Sequence, residues 1–108
     1  PQRRCKNNRF HMRLLSGDIG GTNTRLAYVQ DDGSDSIRHE KNYASAKYVS
    51  LLDVIDDFLS EYAIQKPFDV ACFAVAGPIL DNCVAVTNLP WHVCVNDLQA
   101  ALHTEPVI

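Results

Sequence analysis

The spacing of hydrophobic residues changes several times along this chain, and each change marks an element. Leu14–Leu15 runs into Gly17-Asp18-Ile19-Gly20-Gly21, and the next stretch alternates. Leu26, Tyr28 and Gln30 face one way, while Arg25, Ala27 and Val29 face the other. Period-two alternation on both sides of a glycine-rich turn predicts two short antiparallel strands. Asp31-Asp32-Gly33-Ser34-Asp35 is a dense turn signal, and Ser36–Tyr43 reads as a third strand. The spacing then becomes helical. Leu51, Leu52, Ile55, Phe58, Leu59 and Tyr62 share one face, with Asp53, Asp56, Asp57, Ser60 and Glu61 opposite. Ser50 is placed to cap this helix, and Pro67 lies beyond its end. The acidic face is read as solvated rather than as a metal site.

Asp69–Ala76 is almost continuously apolar and small, which predicts a central parallel strand buried on both faces. Gly77-Pro78 stops it. Asn82–Thr87 reads as another strand, Asn88-Leu89-Pro90-Trp91 as a loop, and Asp97–His103 as a helix with Asn96 as its cap. Glu105-Pro106 breaks that helix, and Val107-Ile108 resembles the first step of a further strand. An apolar strand two residues long is an unusual domain end, so the expectation is a truncated domain. The order is β-β-β-α-β-β-α, an α/β domain opening on an antiparallel meander. There is no internal repeat.

Composition narrows the function classes. The chain has 108 residues, 46% hydrophobic and 21% charged, the profile of one globular unit. Its net charge of −3 conceals an asymmetry: the first thirteen residues carry +5 and the other 95 carry −8. A nucleic-acid-binding body requires a basic surface, so an acidic body excludes that class. No apolar run approaches the roughly 18 residues that a membrane span needs. Residues 1–11 form a basic leader without a hydrophobic core, unlike a secretory signal. They read as a transit peptide, a nucleic-acid arm, read-through or non-native sequence, Met12 being a suitable native start. Cys5, Cys72, Cys83 and Cys94 include no C-x-x-C pair. Their spacing predicts neither a disulfide framework nor a zinc site. Buried free thiols are expected instead, which favours a reducing, cytoplasmic location.

The candidate chemistry lies in Gly17-Asp18-Ile19-Gly20-Gly21-Thr22-Asn23. Glycines allow close backbone approach to a ligand, and successive N–H groups in such a turn make an anion nest. Thr22 and Asn23 add hydrogen-bonding side chains, and Asp18 at a strand end suits Mg²⁺ held through water. Two other phosphate loops fail. No Gly-Lys pair is present for a Walker A motif, and the loop leads into a strand where the dinucleotide fingerprint requires a helix.

From Gly17 to Ala27 the chain resembles the first phosphate motif of hexokinase-type sugar kinases. Phe73-Ala74-Val75-Ala76-Gly77-Pro78-Ile79, followed by Val86-Thr87-Asn88-Leu89-Pro90-Trp91, resembles the bacterial-type glucokinases. Pro90 and Trp91 adjoin, whereas the repressor/ORF/kinase group tends to carry a glycine between them. The resemblance covers Leu14–Ile108. It implies an actin/hexokinase-like (ribonuclease H-like) small domain, incomplete, within residues 12–108 of a two-domain kinase. It further implies ATP and Mg²⁺, with Gly17, Asp18, Ile19, Gly20, Gly21, Thr22 and Asn23 on the nucleotide and Asp18 on the metal. Thr87 and Asn88 are assigned to the sugar side, while Pro90 and Trp91 pack the loop, and Arg25 is a strand or salt-bridge residue. Glucose would be the sugar and a homodimer is compatible.

In this family an aspartate in an Asn-Asp pair takes the proton from the sugar hydroxyl. That pair would follow Ile108, so no catalytic residue is assigned within the chain, and by itself it is expected to be inactive. The alternatives are another hexose or amino-sugar kinase of the repressor/ORF/kinase group, and a non-catalytic sugar-sensing regulator of the same fold.

Overall fold

Alternation in the first half of the chain becomes a sheet in the computed structural model, which describes residues 12–31 and 36–108. The leader (1–11) and most of the expected turn (32–35) lie outside the described residues. Strands β1 (Met12–Ile19), β2 (Asn23–Asp31) and β3 (Ser36–Ala44) form the antiparallel meander, and a 3₁₀ turn follows at Ser45–Lys47. Helix α1 (Leu51–Glu61) leads to β4 (Val70–Val75), which pairs parallel with β1. The sheet order is β3-β2-β1-β4.

One face of this sheet is core. Leu15 and Ile19 of β1, Thr24, Leu26 and Tyr28 of β2, Tyr43 of β3, and Ala71 and Phe73 of β4 are all buried on it. Helix α1 contributes Leu51, Val54, Ile55, Phe58 and Leu59 to the same cluster. The Ser50 hydroxyl accepts from the Asp53 N–H at 3.4 Å, as the capping pattern predicts. Ala63 closes the helix in the left-handed region (φ 52°) while Ile64 N–H reaches the Leu59 carbonyl at 2.9 Å. This is a Schellman closure without its usual glycine.

Four expectations need correcting. Strand β4 is not buried on both faces: Val70, Cys72 and Ala74 are exposed while Ala71 and Phe73 are buried. Among the described residues its outer edge carries only a parallel bridge to Val107, with Val107 N–H donating to Ala71 O and Phe73 N–H to Val107 O, both 2.8 Å. Second, the strand expected at Asn82–Thr87 is present but shorter, as β6 (Cys83–Ala85), and two strands not expected, β5 (Ile79–Leu80) and β7 (His92–Cys94), join it in a small sheet. Asp81 and Asn82, both at positive φ (55° and 63°), make the two-residue turn between β5 and β6. Third, the last helix, α2 (Val95–Leu102), starts before Asn96, which therefore does not cap it; Cys94 occupies the N-cap position without a side-chain bond.

The fourth correction concerns the thiols. Cys83 and Cys94 stand opposite each other on β6 and β7, 4.0 Å apart at Cα, and form a disulfide. Their separation of eleven residues hides this pairing until the strands are aligned. Cys72 is free but exposed. The expected buried thiols are therefore absent among the described residues.

Arg13 belongs to the body rather than to the leader. Its Nε donates to Tyr28 Oη at 3.0 Å, its guanidinium also donates to the Pro67 and Gln65 carbonyls, and Cζ lies 5.3 Å from the Phe68 ring centroid. Its N–H reaches Asp69 Oδ2 at 2.7 Å. One side chain thus fastens the α1–β4 connection to β1.

Two outcomes are expected. Alkylation of the unreduced, denatured chain should label Cys72 and leave Cys83 and Cys94 in one linked peptide, which peptide mass analysis reads directly. Burial, reinforced by the Glu61 carboxylate, pushes the Tyr43 phenol up to about 12. Because the unfolded phenol titrates near 10, its contribution is intact below about pH 10 and lost as the pH rises through 12. Stability should fall across that window, and less so in Tyr43→Phe, by urea unfolding at each pH.

Candidate functional site

The glycine-rich loop lies where β1 and β2 separate at one end of the sheet. Gly20 N–H donates to Asn23 O at 2.9 Å and closes it. Asp18, Arg25 and Asn42 are consecutive register partners on β1, β2 and β3, all exposed and all on the face opposite the core. Together with Gly20, Gly21, Thr22 and Asn23 they line an open cleft of about 420 Å³. The cleft therefore joins a carboxylate, a guanidinium, two side-chain amides, a hydroxyl and a backbone turn. Arg25 also sits 3.7 Å from Glu40, the salt-bridge role expected of it.

Of the seven loop residues expected on the nucleotide, five line this cleft and two face the core. Ile19 is buried with the hydrophobic cluster. Gly17 stands opposite Phe73 across the β1–β4 ladder, and a Cβ there would meet the Phe73 ring at 2.7 Å and Leu26 at 3.0 Å. Its small size serves packing, so both residues present only main chain to the loop.

Gly21 joins two motifs that are 66 residues apart. A Cβ on it would lie 2.5 Å from Thr87 O and 3.1 Å from Asn88 Cβ. Thr87 and Asn88 are thus packed directly against the loop. Their own turn is firmly built. Thr87 N–H donates to Ala76 O at 3.0 Å, Val86 N–H to Trp91 O at 3.0 Å, and Asn88 turns the chain at φ 69°. Trp91 is buried and its Nε1 donates to Tyr48 O at 3.1 Å, the packing role expected of it. Gly77 is needed because a Cβ would collide with the Ala85 carbonyl, so the Gly-Pro after β4 makes room for β6. His92 is exposed and opens β7.

Sequence reasoning missed three participants. Asn42 shows no pattern of its own and joins the cleft only through its register with Arg25. Ser45 follows β3 without a motif, yet its N–H donates to Thr22 O at 3.0 Å and its hydroxyl to Gly20 O at 2.8 Å. Thr24 was legible in principle, since it alternates in phase with Leu26 and Tyr28 and is buried with them. Among the described residues, no group of three or more His, Cys, Asp or Glu side chains could hold a metal by itself.

The loop contact gives a graded prediction. Gly21→Ala forces a Cβ onto a backbone carbonyl and should cost about 1–3 kcal/mol in urea unfolding. It should also shift the amide resonances of both 20–23 and 86–89. Gly20→Ala, where the nearest atom is Asn23 O at 3.3 Å, should cost less.

A family model described as Glucokinase matches residues 15–108. The glucokinase of Tolumonas auensis is 43% identical over 90 residues, covering 82% of this chain and 27% of that protein. That of Nostoc punctiforme is 38% identical over 91 residues, covering 82% and 26%. The chain therefore spans about a quarter of the length of these curated relatives. The structure of glucokinase from an Antarctic psychrotroph superposes with a TM-score of 0.72 at 34% identity, covering 88% of this chain and 31% of that one. The glucokinase of Balamuthia mandrillaris in complex with glucose shares the fold at 22% identity, with a TM-score of 0.63 and coverage of 97% and 33%. The family-model match includes both the loop and the Thr87–Trp91 turn, and the structural matches make the fold hexokinase-like. On this evidence the chain belongs to the glucokinase family.

Proposed function

We propose that residues 12–108 supply the nucleotide side, and one wall of the sugar side, of a two-domain kinase that transfers the γ-phosphoryl group of ATP to glucose. The observation that carries this reading is the contact at Gly21, which sets the phosphate-type turn against Thr87 and Asn88. The sugar 6-hydroxyl attacks γ-phosphorus in line, the bond to the bridging oxygen breaks, and ADP, glucose 6-phosphate and a proton result. Such transfer depends on positioning and charge neutralisation more than on covalent help from the protein.

The donor set suits that task. Backbone N–H groups of the Gly20–Asn23 turn, with the Thr22 hydroxyl and the Asn23 amide, offer donors to phosphate oxygens without placing a lysine in the loop. Asp18 is the carboxylate of the cleft and would hold Mg²⁺ through water, an oxygen donor of the kind that ion prefers. Mg²⁺, when bound, neutralises phosphate charge. Thr87 and Asn88 would orient the sugar. No described residue is assigned as the base, so the chain by itself is expected to bind but not to turn over. The reading carries with it a cytoplasmic enzyme of glycolysis, supported by its co-substrate and no longer by its cysteines. The described residues contain no helix long and apolar enough to cross a membrane.

Titration of the chain with MgATP, followed by amide shifts, should move Gly20, Gly21, Thr22 and Asn23. Asp18→Asn should weaken that binding about 10–100-fold, as expected for an outer-shell metal partner, while leaving ATP without Mg²⁺ nearly unaffected. In the longer parent, a coupled assay with glucose, fructose and mannose should show turnover with glucose first. Absence of any shift in the loop would sink the reading.

A further inference from the structure

Thr24 and Ser45 are both fully buried polar side chains set in an otherwise apolar core, and the Ser45 hydroxyl reaches the loop. Their hydroxyl oxygens are 2.9 Å apart. Ser45 has one hydroxyl proton and gives it to the Gly20 carbonyl at 2.8 Å, so Thr24 must be the donor within the pair. The Ser45 N–H holds the Thr22 carbonyl at 3.0 Å as well. One residue therefore grips two of the loop's carbonyls from behind, and a second fixes its hydroxyl.

Peptide planarity turns this grip into a statement about donors. In a trans peptide the N–H of the next residue points opposite to the carbonyl. Drawing the Gly20 and Thr22 carbonyls towards Ser45 sends the N–H groups of Gly21 and Asn23 away from it. Gly21 and Asn23 line the cleft, and Ser45 does not. A valine at position 24 would match the apolar neighbours in shape but could not orient Ser45.

We propose that Ser45, oriented by Thr24, is the positioning residue of the phosphate loop, presetting the Gly21 and Asn23 N–H groups for an anionic phosphate ligand. This rests on the nucleotide reading given above. Losing Ser45 alone leaves Thr24 and Gly20 with unmet buried polar groups, so Ser45→Ala can fail through folding. The double variant Thr24→Val/Ser45→Ala removes both hydroxyls and leaves only the half-buried Gly20 carbonyl without its partner, so it costs less stability than Ser45→Ala.

The test uses the whole chain and four proteins: unaltered, Ser45→Ala, the double variant, and Thr24→Ser, which keeps the hydroxyl. MgATP affinity is measured by titration, Gly20 amide exchange without nucleotide, and folding by Trp91 fluorescence on heating. The double variant should melt above Ser45→Ala and, against the unaltered chain, exchange its Gly20 N–H about tenfold faster and bind MgATP about tenfold more weakly. Thr24→Ser should restore both within about twofold. Faster exchange with unchanged affinity would make the pair merely structural and overturn the proposal, as would a double variant that does not fold. If the unaltered chain itself gives no response to MgATP, the nucleotide reading has failed rather than the hydroxyl clamp, whose geometry the exchange rates still report.

Discussion

A missing side chain at Gly17 governs how this domain is put together. The Phe73 ring lies against it across the parallel ladder, in the space that any Cβ would occupy. Parallel pairing gains nothing from a tight hairpin and depends on side-chain packing between strands distant in sequence. Seating Phe73 there locks the β1–β4 register and, with it, the orientation of the next residue. Strand geometry then sends Asp18 to the opposite face, beside Arg25 and Asn42, because successive side chains alternate. Core packing at one residue and cleft chemistry at its neighbour are two sides of the same ladder. Ile19 repeats the arrangement one step on, entering the core just before the chain turns into the loop.

Much of this was legible in the residues themselves. The meander, α1 and its Ser50 cap follow from spacing alone, since each buries one face against one partner. Legibility stopped where pairing with a distant strand decides the outcome. A run such as Asp69–Ala76 reads as buried on both sides, but whether its second face is covered depends on elements outside the run. In the described residues Cys72 and Ala74 look outward. The short strands β5 and β7 are only two and three residues long, below any periodicity. The Cys83–Cys94 link depended on them and was hidden for the same reason.

The candidate site divides in the same way. Its loop announces itself through glycines, whereas its supports do not. Of the two hydroxyls behind it, Thr24 shares the phase of the core residues and Ser45 has no local signature at all. Gly21 illustrates a related difficulty. A glycine in a phosphate-type turn suggests close approach to a ligand, yet here its nearest neighbour is the protein's own Thr87 carbonyl. The glycines of one motif thus serve packing at 17 and loop-to-loop contact at 21.

Placing Arg13 inside the fold redraws the distribution of charge. Residues 1–11 keep +4 and residues 12–108 carry −7. Such a body repels an incoming polyanion at distances where individual donors cannot act, and only within a Debye length, about 10 Å at 0.1 M salt, does local geometry take over. An anionic ligand of the cleft would therefore be met slowly at low ionic strength and faster as salt screens the field. Served by loop dipoles and the Arg25 guanidinium at contact and opposed by net charge at range, the cleft would favour a ligand whose charge is already partly cancelled by its counter-ion.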